Sequence, residues 1–228
     1  MIPGTFVGPG MAASDAGEPL TMSFVEMVSN SNSTSVSTAS ETIPAAAQVG
    51  DLGIAAYSVD QSTDSLTTVP TGWTSLIPTP STTDYPRMYV FVKILEAGDP
   101  GSTLSATISP TEGYQAAITI FRPANRNLTG FTARNIDNQK GSSALSASLT
   151  TTSVVAPTLA IANLTGRNNQ SPVMTFSGAT IETNVNGGTR STGYIFYDID
   201  GTPASHSVTS NDTGRQSLTV YYLDLAHD

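Results

Sequence analysis

Short stretches in which apolar and polar residues alternate recur through most of this chain, and they limit the folds that it can adopt. In residues 87–95, for example, Met88, Val90, Val92 and Ile94 would share one face of a strand. No window of a dozen residues shows convincing helical periodicity. The pattern predicts an all-β fold, an antiparallel β-sandwich that is jelly-roll-like or has an immunoglobulin-like topology.

Turn-forming residues separate these stretches, as in Asp99-Pro100-Gly101 and Asn211-Asp212-Thr213-Gly214. In the last stretch, Leu218, Val220 and Tyr222 would lie on one side. Ten segments are predicted to be strands: residues 22–28, 52–59, 87–95, 114–121, 144–151, 158–164, 173–178, 193–199, 204–210 and 216–225. Among the residues predicted to form the structural core are Trp73, Val90, Val92, Leu218 and Val220.

The 228 residues fit one large all-β domain. We find no internal repeat and no clear linker after the first 21 residues, so the sequence predicts an extended N-terminal arm, residues 1–21, and a single sandwich domain, residues 22–228. There is no cysteine, so disulfides and thiolate metal sites are excluded.

The arm is rich in Gly and Pro and is not expected to fold alone. Its apolar residues Ile2, Phe6, Val7 and Met11 are the predicted anchors for a partner. The segment lacks the basic start and the continuous apolar run of a secretory signal, and no stretch of the chain approaches a membrane span. We therefore expect a protein made in a host cytoplasm without a signal peptide and without membrane insertion.

The charge balance is strongly acidic, with 9 Lys and Arg against 18 Asp and Glu and a formal net charge of −9. Such a field repels polyanions, and no cluster of basic residues interrupts it. Nucleic acid and anionic membranes are therefore not expected partners.

The only tryptophan, Trp73, lies in the segment PTGWT. Pro70 restricts the backbone and Gly72 permits a positive φ, after which the ring can plug one end of a sandwich. The functional alternative is a stacking platform for a sugar ring. Such platforms usually carry more than one aromatic, and Tyr85 is the only other one nearby, so the core interpretation is favoured.

Catalytic and metal sites are not predicted. Glu96 and Asp99 are too few carboxylates for a calcium loop, and Asp198 and Asp200 match only half of one. His206 and His227 lie in no recognisable constellation, and the chain has no GxSxG, HExxH or phosphate-binding loop. Paired carboxylates of a glycoside hydrolase stay open, since they converge in space rather than in sequence. No cofactor is expected.

Four segments together resemble a β-sandwich module found among virion structural proteins of tailed bacteriophages, marine ones especially. These segments are GDLGIAAYS (50–58), PTGWTSL (70–76), YVFVKILEAGDPGST (89–103) and NDTGRQSLTVYYLDL (211–225), and the resemblance covers residues 45–225. Two departures concern packing: Ile94-Leu95 stands where smaller residues are usual, and FRPAN (121–125) lacks a glycine after the arginine. The family has no catalytic motif to transfer.

The resemblance implies a non-enzymatic component of the outer surface of a virion. The first hypothesis is a capsid-decoration or appendage protein that docks through its arm. Its expected partners are the major capsid protein or tail and portal-proximal proteins of the same particle, together with further copies in a homo-oligomer. The second hypothesis is a receptor- or glycan-binding module at a tail-fibre tip, which would need exposed aromatics lining one groove. The third is a surface-polysaccharide depolymerase, which would need two carboxyl groups facing each other across a cleft.

Overall fold

The structure is a computed structural model of the chain. It describes ten stretches: residues 20–59, 65–76, 87–141, 146–150, 158–166, 174–177, 183–187, 190–199, 205–210 and 216–228. Within these stretches the secondary structure is entirely strands and turns, so none of the described segments is a helix that could cross a membrane. The predicted all-β class is therefore confirmed.

Fourteen strands form in the described residues, and all of their pairings are antiparallel. They are β1 (Met22–Thr42), β2 (Leu52–Val59), β3 (Ser65–Leu66), β4 (Thr74–Ser75), β5 (Arg87–Ile94), β6 (Thr103–Pro123), β7 (Leu128–Gly141), β8 (Ser146–Thr150), β9 (Thr158–Gly166), β10 (Met174–Ser177), β11 (Thr183–Gly187), β12 (Arg190–Ile199), β13 (Ser205–Ser210) and β14 (Gln216–His227).

These strands form three sheets. The first has six strands in the order β1-β6-β2-β5-β4, with β3 paired to β6 outside this path. The second has five strands in the order β11-β12-β9-β14-β7. The third has the order β10-β13-β8, and its strand β8 lies against β7 and β14 of the second sheet.

One apolar cluster joins the first two sheets and makes the fold a sandwich. From the first sheet it contains Ile54, Val90 and Val92, and from the second Tyr221 and Leu223, all at most 1% exposed. The alternation predicted for residues 87–95 holds, because Met88 also belongs to this cluster and Ile94 packs against it. Alternation along a strand sends every second side chain to the same face, so a correct period yields a correct core face.

A second apolar cluster covers the opposite face of the first sheet. It contains Tyr57, Phe91 and Ile118 from the sheet, together with Leu104 and Ile108 from the early part of β6. Strand β6 therefore contributes to the sheet with one half and to its cover with the other.

The long β1–β6 ribbon must bend back to do this. Tyr57 lies opposite Ala116 in the sheet, yet its hydroxyl donates a hydrogen bond of 2.9 Å to the carbonyl oxygen of Leu104. In a straight strand residues 104 and 116 would be about 40 Å apart, far beyond the reach of one side chain. Register shifts between Asn32 and Thr38 interrupt the pairing of β1 with β6, and such bulges bend strands.

Several predicted strand bounds were wrong, each by being too short. Strand β1 continues to Thr42, β6 begins at Thr103, and β7 was not predicted at all. The added part of β1 and most of β7 are rich in Ser, Thr, Asn and Gly and lack apolar alternation, so backbone pairing with a neighbouring strand holds them in the sheet without a local pattern. The beginning of β6 does alternate, with Leu104, Ala106 and Ile108 buried, and the predicted bounds missed this signal.

Candidate functional site

The proposed arm anchors, Ile2, Phe6, Val7 and Met11, lie outside the described residues. The base of the arm is described. Leu20, which the sequence assigned to the arm, is 2% exposed and belongs to the core between the two large sheets. Thr21 donates its N–H to Asn125 Oδ1 at 3.0 Å and accepts a hydrogen bond from the N–H of Ala124 at 2.9 Å. The chain is thus fixed in place from Leu20 onward.

The turn that holds Thr21 also holds Asp228. Asn127 donates its N–H to Asp228 Oδ1 at 2.9 Å and its side-chain amide to Oδ2 at 2.8 Å, and Arg126 Nη1 donates to the Asp228 carbonyl oxygen at 3.0 Å. The hydrogen bonds from the Asn127 side chain and backbone lower the pKa of the Asp228 carboxyl group. The connection between β6 and β7 therefore brings the base of the arm and residue 228 to one end of the sandwich.

The Gly50-Asp51 motif forms an ion pair with a buried carboxylate and a partly exposed guanidinium group. Asp51 is 2% exposed and accepts Arg122 Nε on one carboxylate oxygen at 2.9 Å and Arg122 Nη2 on the other at 2.8 Å. The N–H of Gln48 also donates to Asp51 Oδ2 at 2.8 Å, and Arg122 Nη2 reaches the carbonyl oxygen of Ala46. Hydrogen bonding to Asp51 raises the pKa of Arg122. This pair ties the β1–β2 loop to the end of β6.

The PTGWT motif places Trp73 in the cluster beneath the bent ribbon, with 6% of the residue exposed. A Cβ atom added at Gly53 would lie 2.9 Å from Cη2 of Trp73 and 3.0 Å from Cδ2 of Leu95. The ring therefore fills the space that a side chain at position 53 would need. Gly72 has φ +80°, a value that favours glycine, and the N–H of Trp73 donates to the carbonyl oxygen of Pro70 at 3.1 Å.

Lys93, near the end of β5, forms ion pairs with Asp99 and Glu96 and so closes the turn that carries them. Lys93 Nζ lies 3.0 and 2.9 Å from the two carboxylate oxygens of Asp99 and 3.1 Å from Glu96 Oε2. Asp99 Oδ2 also accepts the N–H of Glu96 at 2.6 Å, a bond from an Asp side chain to nearby backbone that stabilises the turn. Burial lowers the pKa of Lys93, but the hydrogen bonds and charges of Asp99 and Glu96 outweigh this effect and raise it.

A cleft lies between the PTGWT motif and the turn that carries Asp99. Its volume is about 310 Å³. It opens between the turn that carries Trp73 and the segment that begins at Asp99. The lining residues are Ile43, Pro70, Thr71, Trp73, Asp99, Ser102, Thr103, Leu104 and Ser105. We call it the Trp73 cleft.

The five residues assigned to the core are all buried. Val90, Val92, Leu218 and Val220 are 0% exposed, and Trp73 is 6% exposed. Val90 and Val92 face the second sheet, whereas Trp73 lies under the ribbon.

The described part of the chain brings no three His, Asp or Glu side chains together as a metal site would require. The histidine of the last strand, His227, has its Nδ1 3.0 Å from the carbonyl oxygen of Asp228, and the side chain of His206 lies outside the described ones. The ten aromatic residues with described side chains are wholly or partly buried: Phe24, Tyr57, Trp73, Tyr89, Phe91, Tyr114, Phe121, Phe131, Tyr221 and Tyr222.

Sequence reasoning missed the Asp51–Arg122 pair, because 71 positions separate the two residues. It also missed the Trp73 cleft, whose walls come from three separate segments. A weak signal existed for the pair, since an arginine within the apolar end of a strand needs a partner.

Comparison of the chain with family models, with curated proteins and with solved structures finds no match. The resemblance to virion modules of tailed phages therefore depends on the motif residues alone.

Proposed function

We propose that this chain is a non-enzymatic structural protein of a virion, a capsid-decoration or appendage component that docks on the shell or tail through its N-terminal arm. The observation that carries the proposal is the use of the motif residues. Asp51, Trp73 and Lys93 all hold the fold together: the first pairs with Arg122, the second fills a core, and the third closes a turn. The residues that carry the resemblance therefore serve as framework in this fold.

The geometry at the base of the arm supports docking by the arm. Leu20 is buried in the core and Thr21 is hydrogen-bonded to the β6–β7 turn. A force applied to residues 1–19 is therefore transmitted directly to the sandwich. A flexible linker at this point would instead decouple the arm from the domain. Such a fixed exit suits a tether that holds a domain on a particle surface.

The charge distribution supports a protein partner rather than a polyanion. Three of the described cations are held by carboxylates at 3.1 Å or less, Lys93 by Asp99, Arg122 by Asp51 and Arg134 by Asp224, within a chain of net charge −9. Neutralised cations offer little attraction to phosphates. The proposed partners are the major capsid protein or tail and portal-proximal proteins of the same particle, together with other copies of this chain.

The second hypothesis, a glycan-binding module at a tail-fibre tip, calls for exposed aromatics along one groove. Nine of the ten aromatic side chains that the structure describes instead belong to or pack against the two apolar clusters, and the tenth, Tyr222, is also buried. This burial favours the structural role over a fibre-tip platform.

The experiment uses density-gradient-purified particles from cells that carry the gene, and an antibody raised against residues 22–228. We expect the full-length chain to sediment with the particles. A variant that lacks residues 1–19 but keeps Leu20 should stay in the soluble fraction as a folded domain. A matched full-length variant, Phe6→Ser with Val7→Ser, should also lose the particle. If no chain sediments with the particles, or if the truncated chain sediments as well as the intact one, the proposal is wrong.

A further inference from the structure

Three connections between strands meet at one end of the sandwich. They are the β1–β2 connection (residues 43–51), the β5–β6 connection (residues 95–102) and the β6–β7 connection (residues 124–127). Leu52 pairs with both Ile94 and Phe121, so β2, β5 and β6 reach this end of the first sheet together. We call the surface that the three connections form the turn end.

Hydrogen bonds fix the connections to one another. The N–H of Gly50 donates to the carbonyl oxygen of Leu95 at 2.8 Å, and the N–H of Leu95 donates to the carbonyl oxygen of Asp51 at 2.8 Å. Arg122, at the end of β6, donates from Nη2 to the carbonyl oxygen of Ala46 and to Asp51 Oδ2, both at 2.8 Å. The turn end is therefore ordered before a partner arrives, and a preorganised surface loses little conformational entropy on binding.

Two of the connections contain the same kind of four-residue turn, one over residues 48–51 and the other over residues 96–99. In each turn the N–H of the last residue donates to the carbonyl oxygen of the first at 3.1 Å. The third residues, Gly50 and Gly98, have φ +90° and +94°, as a type II turn requires at that position. The two turns therefore present their second residues, Val49 and Ala97, in equivalent places.

The last residue of each turn is an aspartate that holds the turn closed. Asp51 Oδ2 accepts the N–H of residue 48 at 2.8 Å, and Asp99 Oδ2 accepts the N–H of residue 96 at 2.6 Å. A cation pairs with each carboxylate, Arg122 with Asp51 and Lys93 with Asp99. These charges are thus used within the fold, and the turns stay rigid at their corners.

The side chains exposed on the turn end are small and almost all uncharged. Val49 is 65% exposed, more than any other large apolar residue of the described chain, and Ala45, Ala97 and Ala124 are exposed as well. The structure describes every residue of the three connections, and among them Glu96 is the only charged residue in the exposed class. Such a surface is cheap to cover, because Ala loses no rotamer freedom and few charges must be desolvated.

The position at which the arm joins the domain indicates which partner covers the turn end. Thr21 donates its N–H to Asn125 and accepts the N–H of Ala124, so the arm leaves beside the β6–β7 connection. Eight residues separate Met11, the last proposed anchor, from Leu20, and they span at most about 30 Å. A particle protein that binds the anchors can therefore reach the turn end. The opposite end lies farther away by the length of an eight-residue strand, about 26 Å.

From these observations we infer that the turn end is a second contact surface for the particle protein that binds the arm, with Val49 and Ala97 seated in an uncharged, apolar patch of that protein. The inference rests on the proposed function, since it takes the partner of the arm as its own partner. The arm attaches the chain, and the turn end fixes the direction in which the sandwich points. The opposite end, where the ribbon bends between Asn32 and Thr38, then faces away from the particle.

The test measures binding of purified, fluorescently labelled full-length chain to particles assembled without it, by sedimentation over a range of chain concentrations. Val49→Lys and Val49→Glu should each raise the dissociation constant at least about fivefold, because an unpaired charge of either sign is costly in an apolar contact. Ala97→Lys, at the equivalent corner of the second turn, should act in the same way. Thermal melts verify that each variant is folded.

Ile136 provides the matched control. It is the other type of exposed apolar residue, 42% exposed on β7, and it lies eight positions beyond Leu128, about 25 Å along the strand from the turn end. Ile136→Lys and Ile136→Glu should bind the particles as the unchanged chain does.

Amide hydrogen exchange of the bound full-length chain gives a readout that needs no substitution. Residues 45–50 and 96–98 should exchange more slowly on the particle than in free solution, whereas residues 32–38 at the opposite end should exchange equally in both.

The inference is overturned if the chain binds through its arm but the Val49 and Ala97 variants bind as tightly as the Ile136 variants, or if residues 45–50 and 96–98 gain no protection. In that case the proposed function still stands. If the unchanged full-length chain does not bind the particles at all, the proposed function fails and the inference fails with it.

Discussion

A single large side chain, that of Trp73, fills space in the second apolar cluster that the backbone around Gly53 would leave empty. Trp73 takes the place of a side chain at Gly53, and Tyr57 and Leu95 belong to the same buried cluster. The cluster therefore depends on one large ring whose position is set by a glycine and a tight turn.

Replacement of Trp73 by Ala should lower the free energy of unfolding by about 3–5 kcal/mol, since it removes a buried ring and leaves a cavity against Gly53. Urea denaturation followed by far-UV circular dichroism measures this loss. Trp73→Phe, which keeps most of the volume, should lose clearly less. A loss below about 1 kcal/mol for the Ala variant would show that the ring contributes little to the core.

Replacement of Asp51 by Ala should lower the free energy of unfolding by about 1.5–3 kcal/mol, because it removes two charge-assisted hydrogen bonds to Arg122, whose side chain is partly exposed and can be solvated by water. The control is Glu96→Ala, which removes a carboxylate that is 76% exposed and should cost no more than about 1 kcal/mol. The two unfolding curves, recorded under the same conditions, make the comparison. Equal losses in the two variants would contradict the structural role of the Asp51 pair.

At the scale of elements, the feature that organises the fold is the bent β1–β6 ribbon. Its inner half joins the first sheet, and its outer half covers that sheet's second face. A hydrogen bond of 2.9 Å from the Tyr57 hydroxyl of β2 to the Leu104 carbonyl oxygen holds the outer half over the sheet, and longer bonds of 3.4 Å from Asn30 Nδ2 and the Tyr114 hydroxyl reach the carbonyl oxygen of Ser40 in that half. Burial raises the pKa of Tyr57, as expected for a hydroxyl group that is enclosed by the ribbon.

Tyr57→Phe should therefore loosen the outer half of the ribbon more than the inner half. We expect a loss of about 1 kcal/mol in stability and faster amide hydrogen exchange in residues 103–108 than in residues 116–121. Tyr114→Phe should have a smaller effect in the same direction, because the Tyr114 hydroxyl reaches the outer half only through a longer hydrogen bond of 3.4 Å to the Ser40 carbonyl oxygen. Equal acceleration of amide hydrogen exchange in both halves would argue against a bend at the bulges that separates the two halves of the ribbon.

Glu41 makes the stability of the same ribbon sensitive to pH. Its Oε1 accepts the N–H of Thr42 at 2.8 Å, while its buried Oε2 has no hydrogen-bond partner among the described residues. Burial raises the pKa of Glu41 above its ordinary value of 4.5, and the hydrogen bond from Thr42 opposes that shift only in part. The folded chain thus binds the proton more tightly than the unfolded chain does. Protonation of Glu41 therefore contributes to the stability of the folded chain. This contribution is complete below pH 4.5 and is lost as the pH rises through the folded-state pKa of Glu41.

Glu41→Gln should consequently raise the unfolding temperature at pH 7 and change it little at pH 4, since Gln resembles the protonated acid. Thermal melts of both proteins at the two pH values provide the measurement. Glu96→Gln, at an exposed ion pair with Lys93, should not raise the unfolding temperature at pH 7. A destabilised Glu41→Gln variant at pH 7 would mean that the charge of Glu41 is stabilising.

For the whole molecule, Leu20 is the first described residue and already lies in the core of the sandwich. Removal of residues 1–19 should leave the unfolding temperature of the sandwich unchanged, because the buried contacts of Leu20 and the hydrogen bonds of Thr21 remain. Leu20→Ala should cost about 2–5 kcal/mol in the same background, as for other buried leucines. Differential scanning calorimetry distinguishes the two. A large loss of stability on removal of residues 1–19 would assign the arm to the folding unit.

Much of the framework follows from local pattern. The alternation of Val90 and Val92 with Phe91 predicted both faces of β5, and the single Trp followed by a strand predicted a buried ring. The candidate site was less accessible to prediction. Only Pro70, Trp73 and Asp99 of the cleft were singled out, and their juxtaposition across separate segments could not be known from any one of them.

The sequence by itself determined the all-β class and the faces of the apolar strands, because side-chain direction along a strand depends only on the parity of neighbouring positions. The tertiary structure decided the rest. The polar strands β1 and β7 are strands because a partner binds their backbone groups, and the ribbon bends where its register shifts. Asp51 meets Arg122 only after β2 has paired with β6. Such contacts depend on which distant segments pack together, and no local pattern of residues encodes that choice.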